Sequence, residues 1–263
     1  MQRVCPIPGN RLMTFITFLL AFALVVPATA LAGPPFLTDD PEPVEYRHGE
    51  LLLSSIDTGA KDGTTGTLPH VEVNYGIIPD VQLHLLVPFA FSHPNGGPTV
   101  FGSGDTELGV KYRFTHETGN IPQVGIFPLV HVPTGDSGRG LGSGHVQEFL
   151  PLWLQKSRGP WTTYGGGGYW TNPGTGNKNY WQLGWLVQRD ITRELTLGAE
   201  VFHFSRQTTE GHEDTGYNMG GIINMSKEHH ILFSAGSDFV GNIRFVAYLG
   251  YQWTFGPRKE EMK

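Results

Sequence analysis

Arg244-Phe245-Val246-Ala247-Tyr248-Leu249-Gly250-Tyr251-Gln252-Trp253-Thr254-Phe255 is the stretch on which the fold turns. Every second residue, Phe245, Ala247, Leu249, Tyr251, Trp253 and Phe255, is apolar or aromatic, while Arg244, Gly250, Gln252 and Thr254 fall between them. A period of two puts the two sets on opposite faces of a β-strand. Twelve such residues, rising ~3.3 Å each and tilted by about 45°, cross a hydrocarbon layer of ~25–30 Å. The pattern also suits the last strand of a soluble β-sandwich, so the rest of the chain must separate the two.

Residues 1–32 read as a secretory signal. Arg3 and Arg11 precede an apolar run from Phe15 to Val26, followed by Pro27 and the small residues Ala28, Ala30 and Ala32. Cleavage is expected after Ala32, with Ala30 as the alternative. The run is too short for a membrane-spanning helix, which needs roughly 20 residues. Cys5, the one cysteine, leaves with the signal, so the mature chain has no thiol, disulfide or cysteine metal site. Removing Arg3 and Arg11 leaves 16 basic against 24 acidic residues, a net charge of −8 with histidines neutral. A surface of that sign does not suit nucleic acid, which is bound by basic patches.

The mature chain has no linker or low-complexity divide and reads as one domain. It carries 36 glycines and 12% aromatic residues, and no segment shows a convincing 3.6-residue period, although a soluble domain of this length normally contains helix. A Pro-rich lead, 33–46, holds prolines at 34, 35, 41 and 43 and the acids Asp39, Asp40, Glu42 and Glu45. It reads as an extended periplasmic segment, because proline blocks regular structure. Twelve strands are then expected at 47–56, 67–77, 81–91, 104–114, 122–132, 145–156, 161–171, 179–189, 195–205, 215–225, 230–239 and 244–255.

The connections sort by length. Those after even-numbered strands are mostly tight, as at 78–80, 157–160, 190–194 and 226–229. Those after odd-numbered strands are mostly longer and Gly-rich, at 57–66, 92–103, 133–144, 172–178 and 206–214, with 240–243 the short one. Short periplasmic turns alternating with longer external loops mark an outer-membrane barrel; a sandwich has no reason to sort them.

The faces agree. In 104–114, Thr106, Leu108, Val110, Tyr112 and Phe114 alternate with Asp105, Glu107, Lys111 and Arg113. In 67–77, Val71, Val73 and Tyr75 alternate with His70, Glu72 and Asn74; in 81–91, Leu83, Leu85, Val87 and Phe89 alternate with Gln82 and His84. Lipid cannot satisfy a charge, so the polar sets belong in a wet lumen. Trp161, Trp170, Trp181 and Tyr251 lie near strand ends, where aromatic girdles are expected. Glu148 falls in phase with Leu150, Leu152 and Leu154 and is assigned to the rim.

Two resemblances follow. Tyr248, Gly250, Trp253 and Phe255 fill the places of the C-terminal assembly signal of bacterial outer-membrane barrels. Gly104-Asp105-Thr106-Glu107-Leu108-Gly109-Val110-Lys111-Tyr112-Arg113-Phe114, with Val132-Pro133-Thr134-Gly135-Asp136, resembles the family of outer-membrane transporters named for the meta-cleavage pathway of phenol degradation. The similarity runs through most of 34–256 and implies a membrane barrel with a transport role. It carries no catalytic or binding residue onto this chain. One departure is the charged tail with Arg258, Lys259, Glu260, Glu261 and Lys263, where barrels of this class end at the aromatic residue.

Other motifs weigh less. Gly135-Asp136-Ser137-Gly138 looks like a protease nucleophile loop, but no matching histidine motif precedes it, and an external loop is the better reading. Gly165 to Gly168 is followed by no Gly-Lys-Ser/Thr and reads as room for bulky neighbours rather than a phosphate cradle. His212 and His229-His230 read as surface histidines, whereas His70, His84 and His131 are expected in the lumen near Glu72 and Glu107. The richest functional set is Asp105, Glu107, Lys111, Arg113, Glu72, His70, His84, Glu200 and Arg244, as lumen or constriction residues that brace the wall or select solutes.

The sequence thus predicts an all-β, transmembrane, antiparallel up-and-down barrel of about twelve strands over 47–256. Residues 33–46 are the periplasmic lead and 257–263 a charged periplasmic tail. The expected role is a passive outer-membrane channel for small solutes, small hydrophobic or aromatic ones by resemblance alone. Expected partners are outer-membrane lipid, the solute and, during biogenesis, the barrel-assembly machinery. No catalytic residue, metal or cofactor is expected. A structural or adhesion barrel with a blocked lumen is the alternative. A lipid-modifying enzyme would need a Ser–His pair on the outer face or rim, and strand phase offers none.

Overall fold

The computed structural model describes residues 34–257; the signal segment and the end of the charged tail lie outside them. The chain forms β1 (Gly49–Ala60), β2 (Gly63–Ile78), β3 (Val81–Pro94), β4 (Val100–Ser103), β5 (Thr106–Thr115), β6 (Gln123–Ile126), β7 (Leu129–Val132), β8 (Gln147–Arg158), β9 (Trp161–Thr171), β10 (Tyr180–Asp190), β11 (Leu195–Phe204), β12 (Asp214–Asn224), β13 (His229–Val240) and β14 (Ile243–Phe255). Among the described residues the one helical element is a three-residue 3₁₀ turn, Ser137–Arg139. Each strand pairs antiparallel with its neighbours, and β1 pairs with β14 from Gly49↔Phe255 to Ala60↔Ile243, which closes the sheet.

The fourteen segments make twelve staves, because β4 with β5 and β6 with β7 are each one stave interrupted. The second break falls at Phe127-Pro128; proline has no N–H to give to the ladder. Closure leaves no edge strand to template aggregation.

One barrel end holds the turns 79–80, 116–122, 159–160, 191–194 and 225–228, together with the start of β1 and the end of β14. At the tightest, Asp80 takes φ 65°, a left-handed conformation that Asp tolerates better than most residues. The opposite end departs from expectation. The predicted loops 57–66 and 92–103 are mostly strand: β1 and β2 join at Lys61-Asp62, and β3 and β4 leave only 95–99 between them. Glycine suggested loop at 57–66, but the threonines beside it are β-branched and favour a ladder. A long loop does occur at 133–146. It contains Gly135-Asp136-Ser137-Gly138 and turns inward, burying Leu141.

Outward-facing residues are apolar around the wall. Leu83, Leu85, Val87, Phe89, Leu108, Val110, Tyr112 and Phe114 are all exposed, as are Phe245, Leu249, Trp253 and Phe255 of β14. Soluble monomers rarely expose contiguous apolar patches beyond a few hundred Å², so this belt matches hydrocarbon rather than water. No described helix is long and apolar enough to cross a membrane.

Two expectations about packing are corrected. Trp170 is not in a girdle: it faces inward, buried, while Trp161 and Trp181 face outward. Trp161 and Trp170 are nine positions apart, and an odd separation in a strand reverses the face. The lumen is also less wet than the alternation of polar residues implies. Leu52, Ile222, Leu232 and Tyr248 form one inward apolar cluster, and Phe127, Phe149, Trp153 and Trp170 another. The Gly165–Gly168 run serves packing, as expected. Gly166 has φ 145°, and a Cβ there would overlap the Leu152 carbonyl of the paired strand and crowd Trp153, while one on Gly165 would overlap Trp185 on the outer face.

Candidate functional site: the occupied lumen

The predicted periplasmic lead does not hang outside the barrel. Residues 35–45 cross the lumen, and Thr38, Asp40 and Pro41 are among the most buried residues of the structure. The segment is gripped from around the wall. Ser234 of β13 donates to the Pro35 carbonyl at 2.5 Å. The Leu37 and Thr38 N–H groups donate to the two Glu200 oxygens, each at 2.8 Å, and Asn218 donates to the same carboxylate. Gln182 donates to the Leu37 carbonyl, and the Val44 N–H donates to Gln82. Inward glycines clear the path: a Cβ on Gly184 would overlap Thr38, on Gly198 it would meet Phe36, on Gly125 Pro41 and on Gly76 Glu45.

Charge fixes the middle of the segment. Lys111, 3% exposed, donates to Asp39 at 2.9 Å, lies 3.5 Å from Asp40 and sits 4.9 Å from the Phe127 ring centroid. Arg113 reaches Glu42 at 3.6 Å and also donates to Gln123 and to Asp80. Gln123 and Gln155 both donate to Glu42. Asp80 lies in a turn. Burial pushes its carboxyl up, but hydrogen bonds from Arg113 and His116 outweigh this and hold it below the ordinary carboxylate range.

A second polar group lines the adjacent wall. Glu107 accepts from His84 at 2.9 Å and from His131 on its other oxygen. The second ring nitrogen of His84 is 2.8 Å from Asn74, which donates to Glu72. His70 pairs with Thr67 at 3.0 Å. The remaining predicted residues divide. Asp105 accepts from the Gly135 N–H and from the Ser143 N–H and hydroxyl, so it clamps the inward loop rather than lining the passage. Arg244 is exposed at the loop end and makes no described ion pair. Tyr248 and Gly250 face the lumen, whereas Trp253 and Phe255 face outward at the closing seam.

The neighbouring wall, β8 to β11, is aromatic, which the charged pattern did not reveal. Phe149 stacks on Trp170 at 4.7 Å, Trp170 on Tyr180 at 6.0 Å, and Tyr180 meets Phe204 edge-on at 6.4 Å, with Phe202 5.8 Å beyond. His131 joins this ladder at 4.7 Å from Trp170. The signal was present as inward phase: Phe149 and Trp170 lie directly opposite one another in the ladder, as do Trp170 and Tyr180.

The chain is thus a closed antiparallel barrel of twelve staves with an apolar outer belt and its own N-terminal segment across the lumen. The comparisons agree at the level of fold. The chain superposes on the COG4313 outer membrane channel from Pseudomonas putida F1 with a TM-score of 0.68 at 14% identity, covering 82% of this chain and 98% of that one. The NanC porin aligns with a TM-score of 0.53 at 8% identity over 79% of this chain and 100% of its own, and the KdgM porin with 0.52 at 10% over 78% and 99%. No family model matches the sequence, and no curated protein does.

Proposed function

We propose that this chain is an outer-membrane channel for passive passage of small solutes, with a lumen selective for apolar or aromatic ones. The observation that carries the reading is the juxtaposition inside one closed barrel of a continuous aromatic ladder and a chain segment held by ion pairs. Phe149, Trp170 and Tyr180 stack on one another, each pair contributing about 0.5–1.5 kcal/mol beyond area burial, and a solute ring would meet this ladder at its half-buried Tyr180 end. The segment 35–45 lies across the path an ion would take, held there by Glu200, Lys111 and Arg113. The family resemblance to transporters named for phenol degradation points to the same solute class. Outer-membrane residence is part of this reading and is supported by the outer belt and the sorted turns. The reading gives the chain no catalytic step and no energy source, so solutes run down their gradient.

Purified protein in planar bilayers and in solute-loaded liposomes tests this. The expected result is a small ionic conductance together with measurable entry of phenol or toluene that falls when Trp170 is replaced. Equal entry into protein-free liposomes and protein liposomes would remove the aromatic part of the reading. Absence of any conductance, in the native protein and in variants that free the segment, would favour the structural barrel with a blocked lumen instead.

A further inference from the structure

The outer face carries few charges, and the cations among them are not spread evenly. In the half of the wall nearest the tight turns, the outward positions of the described strands hold Lys156, Arg158 and Arg189, all on β8 and β10, and no other Lys or Arg. Arg158 lies opposite Trp161, and Trp161 lies opposite Arg189. Directly paired residues share a face, so the three stand side by side as Arg–Trp–Arg across three adjacent strands, the arginines about 10 Å apart at their Cα atoms. The Arg189 guanidinium sits 5.1 Å from the Trp161 ring centroid, and that ring is 48% exposed.

Neighbouring acids are engaged elsewhere. Glu117 pairs with Lys156 at 3.2 Å and accepts the Ser157 N–H. Asp190 accepts from Thr196, and Glu194 from Thr192. No described carboxylate forms an ion pair with Arg158 or Arg189. The next outward row is Lys156, Thr163 and Val187, with Lys156 paired to Glu117, and beyond it the face turns apolar with Leu152, Leu154 and Trp185. Two unpaired guanidiniums around an interfacial tryptophan, above an apolar bed, have the layout of a headgroup site with room for acyl chains.

We propose that Arg158, Trp161 and Arg189 bind the phosphate of an anionic phospholipid of the periplasmic leaflet, whose acyl chains lie along β8 to β10. The inference rests on the outer-membrane reading, which places the tight-turn end in that leaflet. Guanidinium forks suit phosphate oxygens better than an ammonium does. The bound lipid would pin this sector of the barrel, the one whose inner side carries the aromatic ladder.

The test is native mass spectrometry of the full, folded, delipidated protein titrated with dioleoyl phosphatidylglycerol, and separately with dioleoyl phosphatidylcholine. A preference of severalfold for phosphatidylglycerol is expected. Arg158→Gln and Arg189→Gln should each weaken it about fivefold, the share of one cation near a lipid surface, and Arg193→Gln in the adjacent turn should not. Equal weakening by Arg193→Gln, or none by the first two, overturns the site. Should a glutamine variant fail to fold, Arg158→Lys and Arg189→Lys keep the charge, so the preference over phosphatidylcholine should persist while binding of phosphatidylglycerol weakens with the loss of the fork, and unchanged binding overturns the site. Independently, brominated phosphatidylglycerol should quench wild-type fluorescence more than Trp161→Phe, and equal quenching overturns the proposal. Failure of the membrane reading itself would show differently, as a protein soluble without detergent whose gel mobility is unchanged by boiling.

Discussion

Lys111→Glu is the sharpest perturbation of the lumen. Lys111 is buried, and its ammonium holds Asp39 and the fully buried Asp40. Removing one partner of a buried ion pair costs about 3–5 kcal/mol, because the other charge stays uncompensated. The new carboxylate adds like-charge repulsion of about 4 kcal/mol at 4 Å in an effective dielectric near 20. The barrel wall is a closed hydrogen-bonded ladder, whereas residues 39–42 are tied mainly by Lys111 and Arg113, so the segment yields first. Even 4 kcal/mol shifts its docked-to-released ratio about a thousandfold. Pro35 to Thr38 remain anchored on Ser234, Glu200 and Gln182, so release is a swing of the middle of the segment and not its loss. In planar bilayers the variant should conduct more than wild type and shift its reversal potential toward cations. The shift should be larger at 0.1 M than at 1 M salt, where the Debye length falls from about 10 to 3 Å. A cysteine in place of the buried Pro41 should become reactive to an impermeant maleimide only in the Lys111→Glu background. A folded variant with native conductance, native selectivity and an unreactive Cys at 41 would refute the reasoning.

Trp170→Ala removes the centre of the aromatic ladder; it should cost about 3–5 kcal/mol of stability and cut aromatic solute entry while ionic conductance holds or rises, and solute entry equal to wild type would detach the ladder from selectivity. Phe255→Asp places a charge at the closing seam beside Gly49, where the stability cost runs from ~0–1 kcal/mol at an interface to about 2–4 kcal/mol at the midplane. Its larger effect should be on assembly, and normal membrane levels would argue against the C-terminal signal. Because Asp80 is held below its ordinary range, it contributes stability above the unfolded pKa of about 3.9 that is lost as pH falls through the lower folded value. Melting curves from pH 5 to 2 should therefore show an acid-dependent loss that is smaller in Asp80→Asn, and identical slopes would mean the Arg113–Asp80–His116 contact adds nothing.

The strand count, the closed antiparallel order and the facing of Glu72, Gln82, His84, Glu107, Lys111 and Arg113 were legible in the sequence. They follow from a local rule: a period of two fixes the face of each residue once its neighbour's face is known. The tight turns were legible for the same reason, since proline and the residues around it constrain the backbone where they stand. What occupies the lumen was not legible. The Pro-rich acidic lead looks like solvated chain by itself, and only the closed wall brings Lys111, Arg113 and Glu200, which are far apart in sequence, around one interior where those acids and backbone N–H groups find partners. The aromatic ladder depends likewise on register. Trp170 reads as a girdle residue from its place near a strand end, and its stacking between Phe149 and Tyr180 exists only once β8, β9 and β10 are aligned. Alternation tells a residue which side to face; the tertiary structure alone decides what it meets there.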